Sequence, residues 1–191
     1  QPLLYIFNGV AAAQKKEFEK AVKSLTIGFN YVGDNVPMRI QFLTYLGDAQ
    51  YELGNTKKSF EAYDEVLLFD PVNVVVLNNY SYYLSVLDQK LEKAKEMSLK
   101  CVQIEKENHT YLDTHAWVLF KLGSFSDAKR AMEKALQFGG RESAVIVEHY
   151  GDILFRLGDK EAAMEEWQNA QKIGEGSKEL SEKIKTGVIP E

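Results

Sequence analysis

Residues 150–171 read YGDILFRLGDKEAAMEEWQNAQ: an apolar stretch, a glycine turn and an alanine-rich amphipathic stretch. The same pattern occurs at residues 46–67, LGDAQYELGNTKKSFEAYDEVL, and at residues 113–136, DTHAWVLFKLGSFSDAKRAMEKAL. Apolar residues recur three and four positions apart in each stretch, which predicts amphipathic helices, and glycine favours the left-handed conformation that ends a helix. The pattern therefore predicts a helix–turn–helix unit that the chain repeats.

Small residues mark the period of the repeat. In the first column they stand 38, 34, 35 and 35 residues apart, and two further columns keep the same register. Two antiparallel helices approach closely only where the residues at their crossing are small, so the columns predict stacked helical hairpins. The first column holds Gly9, Gly47, Ser81, Ala116 and Gly151; the second holds Ala21, Ser59, Ala94, Ala128 and Ala163; the third holds Gly28, Val66, Cys101, Ala135 and Ala170.

The turns of the hairpins are predicted at Gly54, Asp88, Gly123 and Gly158. In the first unit Lys16 stands where a glycine is expected, and the turn of the third unit is one residue longer.

The period, the columns and the turn glycines resemble the tetratricopeptide repeat, a helix–turn–helix unit of about 34 residues. The resemblance implies an all-α fold: a right-handed superhelical solenoid of about five hairpins with a C-terminal capping helix. We expect one domain over residues 1–191, belonging to a longer chain that extends before residue 1. The expected repeats are 2–35, 36–73, 74–108, 109–143 and 144–174, and the expected capping helix is 177–187.

Composition excludes several classes of partner. The net charge is -5 and no basic stripe occurs, which disfavours nucleic acid. The apolar runs are far shorter than the roughly 20 residues that cross a bilayer, so no membrane span is expected. The stretches NNYSYYL, YLDTHAWVLFKLG and EHYGDILFRLG also resemble bacterial tetratricopeptide envelope lipoproteins. That resemblance favours the bacterial periplasm or a membrane-anchored envelope location over the cytoplasm.

The sequence offers little for catalysis. His109 and His115 lie six residues apart, on different faces of a helix, and the HExxH motif of helical zinc sites is missing. His115 falls on the core stripe, which predicts a buried histidine bonded to a nearby carbonyl group. The single cysteine, Cys101, replaces alanine in the third column and is expected to be a packed thiol. We therefore expect no catalytic residue, no metal and no cofactor.

A candidate partner surface lies on the first helix of each hairpin. In the family these helices line the concave surface of the solenoid. Beside the core stripe they carry aromatic residues between hydrogen-bonding groups, the combination that peptide-recognition surfaces use. The alternative is that these side chains pack against the neighbouring hairpin. The candidate contacts are Asp48, Tyr51, Asn78, Asn79, Tyr82, Asp113, Thr114, Trp117, Lys121, His149, Asp152 and Arg156.

These features predict a non-catalytic scaffold that binds a peptide or helical segment of another protein in its concave groove. No lysine cluster occurs on the predicted surface, so an apolar or amphipathic segment fits it better than an acidic peptide tail. A second hypothesis is an assembly module, because residues 1–7 are apolar and leave the first hairpin without a cap on its open side. Self-association or docking on upstream repeats would cover that side. A third hypothesis is an accessory domain of an enzyme.

Overall fold

The structure is a computed structural model that describes residues 1–174 and 176–190. These residues hold helices and no strand, as the sequence predicts. The helices that form consecutive pairs are α1 (Pro2–Gln14) and α2 (Phe18–Phe29), α3 (Val36–Glu52) and α4 (Thr56–Phe69), α5 (Val74–Val86) and α6 (Leu91–Ile104), α7 (His109–Lys121) and α8 (Phe125–Gln137), and α9 (Ala144–Arg156) and α10 (Lys160–Ile173). A 3₁₀ turn, Gly140–Glu142, precedes α9, and α11 (Leu180–Thr186) follows the last pair. We call the first helix of each pair the A helix and the second the B helix.

The turn within each pair requires the left-handed backbone that the glycines predicted. Gly54, Gly123 and Gly158 have φ values of 76°, 75° and 92°. Lys16 and Asp88 take the same conformation with φ values of 59° and 55°, although each carries a side chain. Each of the five pairs therefore has a left-handed residue in its turn. Two of the pairs use a non-glycine residue there, and the longer third turn adds a second left-handed residue, Lys90, with a φ of 45°.

Side chains cap several A helices at their beginnings. The Asn35 side chain accepts a hydrogen bond from the Met38 backbone N–H at 3.1 Å. Asn108 accepts in the same way from Thr110 at 3.1 Å, and Ser143 accepts from Ile146 at 3.5 Å. Such caps satisfy backbone donors that have no partner within the helix, so they fix where α3, α7 and α9 start.

The three columns of small residues are buried along their whole length, as predicted. The first column lies opposite a larger residue of the B helix. A Cβ atom on Gly151 would lie 2.5 Å from the Trp167 ring, and one on Gly9 would lie 2.6 Å from Leu25. Gly47 stands in the same way against the ring of Tyr63. Each glycine thus makes room for one large side chain of its own hairpin.

Contacts divide the chain into two compact units, residues 1–80 and a second unit that begins at Ser81. The core of the first unit is built on Ile6, Leu25, Val32 and Phe42. In the second unit the core runs from α7 to α11, and Leu180 of α11 is buried in it. The expectation that the terminal helix covers the last hairpin is confirmed, because α11 packs on α10 through Leu180 and Ile184.

Among the helices of the described residues, none is both long enough and apolar enough to cross a membrane.

Candidate protein-binding surface

The residue after the first column occupies one position on four of the A helices. It is Asp48 on α3, Tyr82 on α5, Trp117 on α7 and Asp152 on α9. All four are among the predicted contacts, and the structure divides them by what their side chains touch.

Asp48 joins three helices of the first unit. Its carboxylate accepts a short hydrogen bond from the Tyr63 hydroxyl of α4 and a second from the Asn79 amide of α5, at 3.0 Å. Burial raises the pKa of Asp48, and the hydrogen bonds from Tyr63 and Asn79 oppose this rise. The Asn78 amide in turn donates to Asn79 at 3.3 Å, so the asparagine pair bonds within the fold. Tyr51, one turn after Asp48, is half-buried.

Trp117 lies in a stack of rings in the second unit. Its indole is nearly parallel to the His149 ring of α9, with centroids 4.1 Å apart, and to the Phe120 ring, with centroids 4.8 Å apart. His149 is buried, and its Nδ1 lies 2.8 Å from the Asp113 carboxylate. Burial lowers the pKa of His149, but the negative charges of Asp113, Asp152 and Glu148 outweigh it and raise the pKa above the ordinary value of 6.5. The buried pair and the stack together fasten α9 to α7.

Asp152 is bound within the chain, because α11 covers it. The side chain is 2 % exposed, accepts from the Trp167 indole at 2.9 Å and forms an ion pair with Lys183 at 2.7 Å. Glu148, on the same helix, binds Lys183 at 2.7 Å and the backbone N–H of Ser177 at 2.6 Å. The prediction that Asp152 faces a partner is therefore wrong for this structure, since the capping helix occupies that face.

One spatial relation recurs between successive repeats, and the sequence analysis missed it. Asp48 contacts Asn79, and Asp152 contacts Lys183; in both pairs the second residue lies 31 positions further along the chain. Trp117 contacts His149 at nearly the same spacing. Each of these contacts joins an A helix to the helix one repeat further on, although one is a hydrogen bond, one an ion pair and one a ring stack. A search for complementary side chains at this spacing would have found the three pairs.

The remaining predicted contacts differ in exposure. Arg156 is exposed, and Tyr82, Trp117 and Lys121 are half-buried, whereas Thr114, Asn78 and Asp113 are buried. Within the described part of the chain, the Trp117 indole N–H donates no hydrogen bond, while the indole of Trp167 is bonded to Asp152. Lys121 and Arg156, which occupy equivalent positions on α7 and α9, form no ion pair with any described residue. The second unit therefore presents an aromatic face beside two cations, which we call the A-helix surface: Tyr82, Trp117, Phe120, Lys121, Phe155 and Arg156.

The titratable residues elsewhere are used in packing. His115 bonds to the hydroxyl of Ser98 at 2.9 Å, so the predicted bond to a carbonyl group is wrong, and burial followed by the charge of Lys95 lowers its pKa. Burial of the Cys101 thiol raises its pKa to about 12, far from the range of a nucleophilic thiolate. In residues 1–174 and 176–190 no group of three histidine, cysteine or carboxylate side chains is placed to hold a metal ion.

Comparison with known proteins finds similarity to tetratricopeptide-repeat proteins. The family model of the tetratricopeptide repeat matches residues 114–177, the last two hairpins. A tetratricopeptide repeat-containing protein of Pseudomonas aeruginosa is 24% identical over 134 residues, which are 70% of this chain. The match spans only 22% of that longer protein.

Solved structures show the same fold at low identity. A thermophilic tetratricopeptide-repeat protein of Thermus thermophilus has a TM-score of 0.80 at 14% identity, covering 98% of both chains. The pilF protein of Pseudomonas aeruginosa has a TM-score of 0.78 at 20% identity over 94% of this chain and 79% of its own. MamA of Desulfovibrio magneticus has a TM-score of 0.72 at 16% identity over 90% of this chain and 94% of its own. The all-α tetratricopeptide-repeat class predicted from the sequence is confirmed, and this fold generally supports a protein–protein interaction scaffold.

Proposed function

We propose that this tetratricopeptide-repeat chain is a non-catalytic scaffold that binds an apolar or amphipathic segment of another protein on its A-helix surface. The observation that carries the proposal is the contrast between its two tryptophans. Trp167 is buried and its indole is bonded to Asp152, whereas Trp117 is half-exposed and its ring is held rigid by stacking. A rigid, partly exposed indole whose donor is available is the side chain that most often anchors a partner.

The charges beside Trp117 indicate the chemistry of the partner. Lys121 and Arg156 stand at the ends of α7 and α9, where they also complement the helix dipoles. The nearby carboxylates of Glu148 and Asp152 are buried and both form ion pairs with Lys183. The partner segment should therefore place an apolar side chain on Trp117 and acidic groups near the two cations. In the first unit, Asp48, Tyr51, Asn78 and Asn79 stay predicted partner contacts.

The test is a photo-cross-linking experiment in cells, with a photoreactive phenylalanine in place of Tyr82 or Lys121. We expect a cross-linked partner at both positions and none from Lys100, an exposed residue of the B helix α6. For the identified partner, Trp117→Ala should cost about 2 kcal/mol, roughly thirtyfold in Kd. Lys121→Glu with Arg156→Glu should weaken binding in a salt-dependent way, and Lys100→Glu should not. Equal cross-linking from Lys100, or unchanged affinity of the Trp117 and cation variants, would remove this surface from the proposal.

A second candidate function is self-association through α1. Its residues Leu3, Leu4 and Phe7 are 52%, 59% and 68% exposed. At the positions equivalent to Leu4, Phe42 and Ile146 are buried because the preceding hairpin covers them. A second copy would cover this face, and light scattering over a concentration series tests it. Dimers that disappear in a Leu4→Glu, Phe7→Glu variant support association, and a strict monomer refutes it.

A further inference from the structure

At two places in the chain a tyrosine of an A helix bonds to a carboxylate of the preceding B helix. In the first unit the Tyr80 hydroxyl donates to the Asp64 carboxylate at 3.4 Å, and the Tyr80 ring stacks on Phe60 with centroids 4.7 Å apart. In the second unit the Tyr150 hydroxyl donates to Glu133, also at 3.4 Å. The two pairs occupy equivalent positions: the tyrosine precedes the first small column, and the carboxylate lies five residues after the second.

Between these two pairs the same positions hold Leu99 and His115, which cannot form the pair. The shorter ring of His115 turns instead to Ser98 of α6, in the preceding hairpin, with Nδ1 2.9 Å from the hydroxyl. A second substitution accompanies the first. Beside Tyr150, Glu166 forms a twofold ion pair with Arg141 at 2.8 Å. The equivalent position beside His115 holds Ala131.

An open cavity of about 410 Å³ lies at these positions, between α6, α7 and α8. Its floor and walls are apolar, formed by Leu99, Val102, Leu112, Leu119 and Ala131, with His115 among them. Leu99, a large apolar side chain, is 40% exposed at its edge. Such exposed apolar surface is what a binding site presents before it is covered.

The rim of the cavity is basic. Lys95, Arg130 and Lys134 lie around it with a single carboxylate, Asp127. Arg130 is paired with Asp127, and the two lysines form no ion pair in the described part of the chain. Two unpaired cations therefore flank an apolar pocket, although the chain as a whole is acidic with a net charge of -5.

We propose that this Leu99–His115 cavity is a second docking site, which takes an apolar side chain of another protein segment flanked by acidic residues. The acidic flanks follow from the two unpaired lysines. A protein segment fits better than a small molecule because the cavity is open on one side, whereas small-molecule sites enclose most of their ligand. The site lies between α6, α7 and α8 and shares none of its lining residues with the A-helix surface, so the scaffold would hold two segments at once.

The experiment is a selection of displayed peptides on the whole chain, with the His115→Tyr variant as counter-selection. Tyrosine occupies the equivalent position at Tyr80 and Tyr150, so this variant should fold and fill the cavity. We expect enriched peptides with a Leu or Phe next to Asp or Glu. A fluorescent copy of such a peptide should bind His115→Tyr at least tenfold more weakly. It should also bind a Lys95→Glu, Lys134→Glu variant more weakly, and the loss should be smaller at high salt.

Two controls separate this site from the rest of the molecule. Lys58→Glu, on the exposed face of α4, should leave peptide affinity unchanged, as should Trp117→Ala on the A-helix surface. Leu99→Glu places a carboxylate on an apolar wall of the cavity, as Glu133 does at the equivalent position, and it should also lower the affinity.

Three results would overturn the proposal. One is the absence of any sequence enriched on the chain over the His115→Tyr variant. Another is unchanged affinity of the selected peptides for the Leu99→Glu variant. The third is dependence of peptide binding on Trp117 alone, which would assign the selected peptides to the A-helix surface and leave the cavity without a ligand.

Discussion

At the residue scale, the glycines of the first column are determined by the size of the side chain that each one faces. Gly151 is helical and has no need of an unusual backbone, yet a single added carbon would lie 2.5 Å from the Trp167 ring. The same edge of the ring donates a hydrogen bond to Asp152 at 2.9 Å, so the ring cannot move away without losing a buried hydrogen bond.

Replacing Gly151 with alanine should therefore destabilise the protein by about 1–3 kcal/mol, the usual cost of overpacking. Urea unfolding followed by circular dichroism measures the loss. Gly174→Ala is the matched control, because nothing lies within 4 Å of a Cβ atom at Gly174. An equal effect of the two substitutions would contradict the explanation.

A substitution at Lys16 should stabilise the protein instead. It has the left-handed conformation, φ 59°, that three other turns assign to glycine. Lys16→Gly should remove backbone strain and raise the free energy of unfolding by up to about 1 kcal/mol, reduced by the greater freedom of glycine in the unfolded chain. The reciprocal variant Gly158→Lys should lower it. Thermal unfolding of both variants measures these changes in stability. A destabilised Lys16→Gly variant would show that the lysine side chain itself stabilises the turn.

The His149–Asp113 pair predicts a pH dependence. Because the folded pKa of His149 lies above its ordinary value of 6.5, protonation stabilises the folded state. That stability is fully present below the ordinary value and is lost as the pH rises through the folded pKa. The advantage of the native chain over His149→Gln should thus shrink as the pH rises from 6.5 through the folded pKa. Urea unfolding of both proteins across this pH range measures the difference in stability, and an NMR titration of the imidazole measures the pKa. A stability difference that grows with pH would contradict the raised pKa.

At the element scale, α11 takes the place of a sixth A helix. Its Lys183 reaches Asp152 across the spacing at which Asn79 reaches Asp48, 31 residues. The carboxylates of Glu148 and Asp152 are buried beneath it and depend on the lysine for their charge balance.

Lys183→Ala should leave these two buried carboxylates without a counter-charge and cost about 3–5 kcal/mol. Hydrogen exchange should show α11 released, with loss of protection at its backbone amides. Lys185→Ala, an exposed position on the same helix, should have an effect within about 0.5 kcal/mol. Retained protection of α11 in Lys183→Ala would mean that the burial of Leu180 suffices to hold it.

The helices and their pairing were predictable because they depend on local and periodic signals. Small residues at crossings, glycine at turns and the Leu180–Ile184 pair of the cap act through size and backbone freedom, which residue identity reveals. The partners of the polar side chains were harder to predict from the sequence. The sequence pattern predicts that Asp152 lies on the surface, and only the packing of α11 and α10 shows that Lys183 and Trp167 bind it. His115 was placed correctly on an inward stripe, but whether a serine or a carbonyl binds it depends on rotamers that the sequence does not encode locally.

At the scale of the whole molecule, a chain of stacked repeats should not be equally stable along its length, because each hairpin is supported by its neighbours. The helix α1 exposes Leu3, Leu4 and Phe7, whereas α9 is buried on most of its faces. Native-state hydrogen exchange should therefore be fast in Pro2–Gln14 and slowest in α9 and α10. Covering α1, by self-association at high concentration, should slow its exchange selectively. Uniform protection over the two units would contradict this gradient.

The buried cysteine of the third column makes the opening of one hairpin measurable. Its one sulfur, Cys101, is buried at a helix crossing, and its pKa of about 12 keeps it protonated at neutral pH. Because the chain has one cysteine, a maleimide dye can react at a single atom, and only after α6 has moved away from its neighbours. The rate of dye incorporation therefore measures the rate at which this one hairpin opens, without any engineered cysteine.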